Sequence, residues 1–268
     1  MNVIAVYPGR FHPFHIGHAD SYKQLADKFG KDNTYLALSA KQEQPKSPFS
    51  TIDRAKMAMV LGIPKEQIIS VTNPYAAKEY IERLQSKGGD PENTAIVFGV
   101  SKKDMEGVPE LNIPPDPRFE FKPKKDGSPS YLQPYTDKLE PMTKHGYVYS
   151  TDVKEFPIAG EMMRDASAIR KAYQNADDKK ELEILQDLYG KNAHLVKSIF
   201  DTHLNLNESI KRFINRITPL VHSALPEQKI KLLNLLKEAK AMQKAKTLEH
   251  ELHETNTIIE DTDYLEEK

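Results

Sequence analysis

Two histidines three residues apart, His15 and His18, occur in the segment GRFHPFHIGH near the start of the chain. If a helix begins near Ile16, both imidazoles lie on one face of its first turn, beside backbone N–H groups that attract anions. Imidazoles donate hydrogen bonds to phosphate oxygens and stabilise a phosphoryl group that is changing partners. Gly9 and Gly17 are expected to let the backbone approach such a ligand closely. The alternative interpretation is a helix-capping pair that binds no ligand.

A parallel α/β sheet is the element that would place this segment at a ligand site. Short apolar runs rich in β-branched residues alternate with amphipathic stretches along the first hundred residues. The runs cover residues 3–7, 34–39, 68–72 and 95–99, and the amphipathic stretches cover 18–29, 51–61 and 76–87. Because parallel neighbours need crossover helices, this pattern predicts a Rossmann-like parallel sheet with helices on both faces. Ligands of such sheets bind beyond the carboxyl ends of the strands, which is where the histidine segment falls.

The rest of the chain departs from this regular alternation. Residues 107–146 carry eight of the 18 prolines and predict a long irregular insertion, with a hairpin suggested within it. Residues 147–151 are a candidate fifth strand, and 164–174 form a loop that runs into a helix. The pattern over 177–268 is helical only, and the long helix predicted over 227–259 has apolar residues three or four apart. That helix would either pair with a second copy, giving a homo-oligomer, or pack within the molecule.

Composition excludes several classes of function. The chain has 38 Lys+Arg against 39 Asp+Glu, so no broad basic surface is expected for nucleic acids or anionic membranes. With no cysteine, there are no disulfides, thiolate nucleophiles or cysteine zinc sites. Neither a P-loop nor a G-x-G-x-x-G string occurs. The start does not resemble a signal peptide and no long apolar run exists, so we expect a cytoplasmic protein without nucleic-acid or membrane partners.

Three segments in order resemble known motifs. GRFHPFHIGH resembles the signature G-R-F-x-P-x-H-x-G-H of the nucleotidylyltransferase superfamily, which includes nicotinamide-mononucleotide adenylyltransferases, phosphopantetheine adenylyltransferases and cytidylyltransferases. Residues 39–57, SAKQEQPKSPFSTIDRAKM, resemble the segment S-A-Q…N-P-F-T-x-x-E-R-x-x-M of the archaeal-type nicotinamide-mononucleotide enzymes, with Asp53 replacing the glutamate. Residues 165–171, DASAIRK, resemble their late I-S-x-T-x-[IV]-R motif. HIGH is also a signature of class I aminoacyl-tRNA synthetases, but their second signature, K-M-S-K-S, is absent. We therefore take 1–176 as a nucleotidylyltransferase domain and 177–268 as an all-α extension.

The resemblance implies a reaction and roles for individual residues. An acceptor phosphate would attack the α-phosphorus of a nucleoside triphosphate in line, aided by Mg²⁺, with pyrophosphate leaving and no covalent intermediate. His15, His18 and Arg170 are the implied catalytic residues, with the histidines at the α- and β-phosphates and the arginine at the β- and γ-phosphates. The implied nucleotide-binding residues are Arg10 and Ser167 at the β- and γ-phosphates, Lys41, Lys46 and Arg54 near the reacting phosphates, Gly17 at the helix start, and Gly9, Phe11 and Gly99 beside the nucleoside.

The acceptor is less closely defined than the reaction. The second motif favours nicotinamide mononucleotide, so the product would be a dinucleotide of NAD biosynthesis. The chain has no tryptophan to stack on a pyridine ring, so Tyr75, Phe98 or Tyr80 would have to serve. A CTP-dependent cytidylyltransferase is the alternative enzyme, and a non-enzymatic nucleotide-binding scaffold with a helical assembly tail is the alternative outside enzymes. His250 and His253, flanked by glutamates, favour an exposed coiled-coil face, so no metal-ligating residues are predicted.

Overall fold

The computed structural model describes residues 1–41, 47–109, 112–152, 156–163, 166–205, 214, 217–221 and 223–242 of the chain. The chain divides into two compact units, Met1–Lys197 and Ser198–Lys268. The first unit runs past residue 176, so helices that the sequence assigned to the extension lie in the same unit as the sheet. The functional domain boundary at residue 176 stays a prediction.

A six-stranded parallel sheet forms the centre of the first unit. Its strands are β1 (Asn2–Gly9), β2 (Thr34–Ser39), β3 (Ile68–Val71), β4 (Thr94–Ser101), β5 (Leu132–Pro134) and β6 (Gly146–Thr151), in the order β3-β2-β1-β4-β6-β5. The parallel sheet with its covering helices confirms the predicted fold class, and five of the six strands coincide with predicted ones. The sequence did not predict β5, because this strand has only three residues, ends in proline and lies within the irregular insertion.

Helices connect the strands and cover the sheet. They are α1 (Ile16–Phe29), α2 (Thr51–Val60), α3 (Ala77–Ser86), α4 (Lys102–Glu106), α5 (Ala166–Gln174), α6 (Asp178–Tyr189) and α7 (Ala193–Phe200). The stretches predicted as helical over 18–29, 51–61 and 76–87 correspond to α1, α2 and α3. The start of α2 is fixed by Ser50, whose Oγ accepts a hydrogen bond from the Asp53 N–H at 3.1 Å.

α1 lies so close to the sheet that a side chain at Gly99 would meet a side chain of the helix. An ideal Cβ on Gly99 of β4 would stand 2.2 Å from Cδ1 of Leu25, which is fully buried in α1. The neighbouring strand residue, Phe98, points to the other face and packs in a cluster with Val6 and Ile96. Because α1 is fixed against the sheet, its first turn is held beyond the carboxyl end of β1.

The proline-rich insertion is irregular but ordered by local contacts. Val108 and Ile113 form an isolated antiparallel bridge. Gly107 has a φ of +73°, and a Cβ there would meet the Ile113 carbonyl oxygen at 2.4 Å, so only glycine fits. A 3₁₀ turn over Pro117–Phe119 and a tight turn at 124–128 follow. The suggested hairpin is wrong: among the described residues of the insertion, β5 pairs in parallel with β6 instead.

The second unit begins within α7 and is helical where it is described. A π-helical turn, Asp201–Asn205, follows α7, and residues 226–242 are helical. The long helix predicted over 227–259 is therefore formed as far as the description extends. Its later part, including His250 and His253, lies outside the described residues, and the coiled-coil seam stays a prediction. No described helix is both long enough and apolar enough to span a membrane.

Candidate functional site

A cleft of about 1290 Å³ opens at the carboxyl edge of the sheet. Its walls come from the β1–α1 segment, the ends of β2 and β4, the segment before α3, the insertion, and the residues around α5. Eight of the predicted site residues line it: Gly9, Arg10, Phe11, His15, Gly17, His18, Lys41 and Gly99. A cleft thus lies beyond the strand ends, where the sequence predicted a ligand, and the segment that carries the histidines forms one of its walls.

The two histidines form a reciprocal cap on the first turn of α1. His15 is the N-cap residue, and its Nδ1 accepts a hydrogen bond from the Gly17 N–H at 3.1 Å. In return, Nδ1 of His18 accepts a hydrogen bond from the His15 N–H at 3.3 Å. A ring nitrogen that accepts a hydrogen bond carries no proton, so the proton of each neutral imidazole is assigned to Nε2. Both rings therefore have an Nε2–H to donate to a ligand.

Burial keeps both imidazoles neutral. It lowers the pKa of His15 to about 4. Burial also lowers the pKa of His18 well below its usual value, and the neighbouring His15 lowers it further. At neutral pH the pair consequently acts as two hydrogen-bond donors without a net charge. The capping interpretation and the ligand interpretation are compatible, because capping uses Nδ1 and leaves Nε2.

Aromatic rings enclose the histidine pair. The ring centroids of His15 and His18 are 3.8 Å apart, and the centroid of Phe156 lies 5.8 Å from that of His15. A Cβ on Gly17 would stand 3.1 Å from ring carbons of both His15 and Phe156. A Cβ on Gly9 would stand 2.5 Å from the Phe11 ring. In this structure both glycines make room for the rings that shape the site; their contact with a ligand stays a prediction.

Arg54 stabilises the loops beneath the cleft and does not line it. Its side chain is fully buried, and burial lowers its pKa to about 10. Nη1 donates to the Arg10 carbonyl at 2.6 Å, and Nη2 donates to the Ser39 carbonyl at 2.9 Å and to Thr51 Oγ1 at 3.0 Å. Nε donates to the Ser50 carbonyl at 3.3 Å. These bonds join the ends of β1 and β2 to the start of α2, so direct phosphate binding by this arginine stays a prediction.

Arg170 and Ser167 lie on α5 next to the histidine segment. Arg170 donates through Nη1 to the His12 carbonyl at 2.5 Å and through Nη2 to Ser167 Oγ at 3.0 Å. Neither side chain lines the cleft, whereas Ala166 and Ile169 of the same helix do. The structure thus places both predicted residues at the margin of the site, and their phosphate contacts stay predictions. Lys46 lies outside the described residues.

The cleft also contains residues that the motifs did not indicate. Of the three proposed stacking rings, only Tyr75 lines it; Phe98 is fully buried, and the Tyr80 hydroxyl donates to the Pro74 carbonyl at 2.8 Å. Arg118 of the insertion and Lys103 of α4 also line the cleft. No sequence signal identified these two cations, because the insertion matches no motif and lysines are common on surfaces.

A metal site made by the protein alone is not found in the part of the chain that the structure describes. No group of three or more His, Asp or Glu residues there could hold an ion. Mg²⁺ is commonly bound by one or two carboxylates together with substrate phosphates, and Asp152 is one of the carboxylates that border the cleft. A magnesium ion would therefore depend mainly on the phosphates of a nucleotide.

The sheet region is similar to known proteins. Residues 6–109 match the family model described as cytidylyltransferase-like. Nicotinamide-nucleotide adenylyltransferase 1 of Sulfolobus acidocaldarius is 28% identical over 87 residues, which are 30% of this chain and 50% of that protein. The chain thus spans half the length of the curated relative it matches.

Two solved structures are also similar. A bifunctional NMN adenylyltransferase/ADP ribose pyrophosphatase from Francisella tularensis aligns with 84% of this chain and 58% of its own, with a TM-score of 0.43 and 16% identity. Plasmodium falciparum nicotinic acid mononucleotide adenylyltransferase, complexed with NaAD, aligns with 77% of this chain and 100% of its own, with a TM-score of 0.43 and 14% identity.

Proposed function

We propose that the chain is a nucleotidylyltransferase, as the family match over residues 6–109 supports, and that it transfers AMP from ATP to the phosphate of nicotinamide mononucleotide. The products would be a dinucleotide and pyrophosphate. The observation that supports transfer chemistry is the histidine pair: His15 and His18 each keep an Nε2–H available in a cleft at a helix start. A scaffold that only bound nucleotide would not need two oriented donors beside the reacting phosphates.

The chemistry that we propose requires no covalent enzyme intermediate. An oxygen of the acceptor phosphate forms a bond to the α-phosphorus, and the bond from that phosphorus to the α–β bridging oxygen breaks, releasing pyrophosphate. Charge develops on the phosphate oxygens during this exchange, and donors that are already oriented stabilise it without reorganisation. His15 and His18 would supply these donors at the α- and β-phosphates.

The remaining roles concern the triphosphate tail and the metal. Arg10 and Lys41, both in the cleft, would neutralise phosphate charge, and Arg170 with Ser167 would hold the β- and γ-phosphates after a small movement of α5. Asp152, a carboxylate that lines the cleft, would help to hold a Mg²⁺ ion bound with ATP, and the ion would supply positive charge to the phosphates. The neutral state of the histidines suits this arrangement, since two imidazolium groups would repel the metal.

The acceptor assignment depends on the shape of the cleft and on the second motif. Tyr75 offers an aromatic ring at the cleft wall, which supports a ring-bearing acceptor over a simple phosphorylated alcohol. Because the matching family model is described as cytidylyltransferase-like, CTP is the alternative nucleotide. Measuring pyrophosphate release with each nucleotide decides between ATP and CTP.

The test measures pyrophosphate release in the presence of Mg²⁺. Each of the two nucleotides, ATP and CTP, is combined in turn with nicotinamide mononucleotide, phosphopantetheine and phosphorylated alcohols. We expect release with ATP and the pyridine mononucleotide only. His18→Ala should lower turnover by about 10²-fold or more, because an oriented donor at the transition state is lost. His194→Ala, an exposed histidine outside the cleft, is the matched control and should change nothing. Release only with CTP would establish the cytidylyltransferase, and no release in any pairing by a folded, nucleotide-binding sample would favour the scaffold.

A further inference from the structure

A buried tyrosine outside the cleft is bonded to the backbone of the histidine segment. Tyr189 is the last residue of α6 and is 3% exposed. Its hydroxyl donates to the Phe14 carbonyl at 2.5 Å. Burial raises the pKa of this hydroxyl well above its usual value, so the hydroxyl keeps its proton and remains a donor at neutral pH. Tyr189 therefore joins α6 to the residue directly before His15.

The Phe14 carbonyl needs a donor from outside the helix. The hydrogen bonds of α1 begin at the carbonyl of His15, which accepts from the N–H groups of His18 and Ala19 at 2.9 and 3.1 Å. The Phe14 carbonyl precedes this pattern and is buried, and a buried carbonyl without a donor is costly. A phenylalanine at position 189 would fill the same space but would not supply this donor, so the hydroxyl itself has a role there.

A single peptide group separates Tyr189 from His18. The Phe14 carbonyl and the His15 N–H belong to one planar peptide unit, in which they point in opposite directions. The carbonyl accepts from Tyr189, and the N–H donates to Nδ1 of His18 at 3.3 Å. Because the unit is planar, a donor that fixes the carbonyl also fixes the direction of the N–H. A bonded carbonyl also polarises the N–H of its own unit, which strengthens the second hydrogen bond.

The ring of His18 is held by this bond together with packing. The centroids of the Phe11 and Phe14 rings lie 4.9 and 5.5 Å from its centroid. These contacts confine the ring, and the bond to Nδ1 sets its rotation. Because Nδ1 and Nε2 belong to one rigid ring, holding Nδ1 also fixes the direction of the Nε2–H.

α6 is anchored well enough to hold the tyrosine in place. Its residues Ile184, Leu185 and Leu188 are fully buried, and Asp187 Oδ2 accepts from the Ala159 N–H at 2.7 Å. The structure describes every residue of α6, and none of them lines the cleft. An effect of this helix on the reaction must therefore pass through the segments that it contacts.

We propose that Tyr189 is a positioning residue: through the Phe14–His15 peptide it fixes the ring of His18, and so the direction of the Nε2–H that this ring would donate to the reacting phosphates. The inference rests on the proposed function and deepens it. It adds to the transfer machinery a residue behind the cleft that has no contact with substrate.

The experiment compares the full chain with Tyr189→Phe, which removes the hydroxyl and keeps the ring. We expect kcat for pyrophosphate release to fall about 5- to 10-fold, the effect of one lost hydrogen bond, while KM for ATP and for the acceptor changes less than about twofold. In NMR spectra of the free protein, the His15 amide proton and Nδ1 of His18 should both shift. Samples are compared at a temperature at which circular dichroism shows each variant to be folded.

The matched control is Tyr131→Phe. The Tyr131 hydroxyl also donates to a backbone carbonyl, that of Met142 at 2.9 Å, but Tyr131 does not line the cleft and is not bonded to the histidine segment. This variant loses the same kind of hydrogen bond, so it reports what a purely structural loss does. It should leave kcat and both NMR signals unchanged.

Two results would overturn the proposal: signals of His15 and His18 that stay in place in Tyr189→Phe, or shifted signals with an unchanged kcat. Absence of turnover in the wild type with every pairing of substrates would instead contradict the proposed function. The NMR signals are measured without substrate, so they still decide the role of Tyr189 in that case. A shift supports its positioning of His18, and no shift overturns it.

Discussion

At the scale of single residues, the chemistry of the cleft depends on where two protons lie. His15 and His18 use Nδ1 to cap α1, which assigns both protons to Nε2. We predict that neither ring titrates between pH 5 and 8 and that both show the Nε2–H tautomer in ¹⁵N NMR spectra. His15→Ala and His18→Ala assign the signals, and exposed His194 is the internal control. Titration of both rings near pH 6.5 would contradict the burial that fixes the tautomers.

The same burial makes folding sensitive to acid. The pKa of His15 is about 4 in the folded state and about 6.5 in the unfolded chain, so below pH 6.5 the unfolded chain binds more protons. The free energy of unfolding should therefore fall as the pH drops from 6.5 towards 4, by up to about 1.4 kcal/mol per pH unit for each such histidine. Urea unfolding at a series of pH values measures this free energy.

The matched variant for this prediction is His15→Asn. Asparagine keeps an acceptor at the N-cap but does not titrate, so the decline in stability with acid should be shallower. His194→Ala should decline like the wild type. A slope that His15→Asn leaves unchanged would assign the acid sensitivity to other groups.

Arg54 shows what a motif can and cannot reveal about a residue. The sequence motif identified the position of Arg54. The sequence could not show that its guanidinium donates hydrogen bonds to the carbonyls of Arg10 and Ser39, because these residues are far apart along the chain. We predict that Arg54→Gln lowers the free energy of unfolding by about 1–3 kcal/mol for each buried carbonyl left without a donor. Arg83→Gln, on the surface, should change it by less than about 0.5 kcal/mol. Unchanged stability together with lost turnover would indicate that Arg54 contacts substrate.

At the scale of elements, the sheet and its first three helices were predictable because their apolar periodicity is local information. The insertion was not, since its order comes from contacts such as the burial of Phe119 and the pairing of β5 with β6. The close packing of α1 on β4 was also invisible in the sequence. Gly99 was predicted to leave room for a base, and the structure gives it a second reason, the Leu25 side chain 2.2 Å from where a Cβ would stand.

This packing gives a prediction about how α1 carries the histidines. Gly99→Ala should displace α1 and destabilise the fold by about 1–3 kcal/mol, and it should lower turnover because His15 and His18 move with the helix. Leu25→Ala removes the clashing methyl groups, so the double variant should be more stable than the sum of the two single effects by at least about 0.5 kcal/mol. Urea unfolding gives the stability, and pyrophosphate release the turnover, of the wild type, the two single variants and the double variant. Strict additivity would mean that the methyl group is accommodated without moving the helix.

At the scale of the whole molecule, the question is how much of the chain the reaction needs. All residues that line the cleft lie within the first compact unit, Met1–Lys197. That unit includes α6, whose buried Tyr189 hydroxyl donates to the Phe14 carbonyl at 2.5 Å, directly before His15. Asn192 Nδ2 likewise donates to the Val60 carbonyl at the end of α2, at 3.1 Å. These contacts connect the helices after residue 176 to the elements that position the site.

Two truncations therefore have opposite expected outcomes. A chain ending after residue 205 retains α6 and α7, and it should fold and keep its turnover. A chain ending after residue 176 loses the Tyr189 bond and the apolar face of α6, so it should unfold at lower temperature and lose activity even where it remains folded. Thermal unfolding, pyrophosphate release and sedimentation of both fragments beside the full chain provide the measurements. If the shorter fragment matched the longer one, α6 would be dispensable to the site. If the full chain sedimented as an oligomer and the 205-residue chain as a monomer, the residues after 205 would drive assembly of copies.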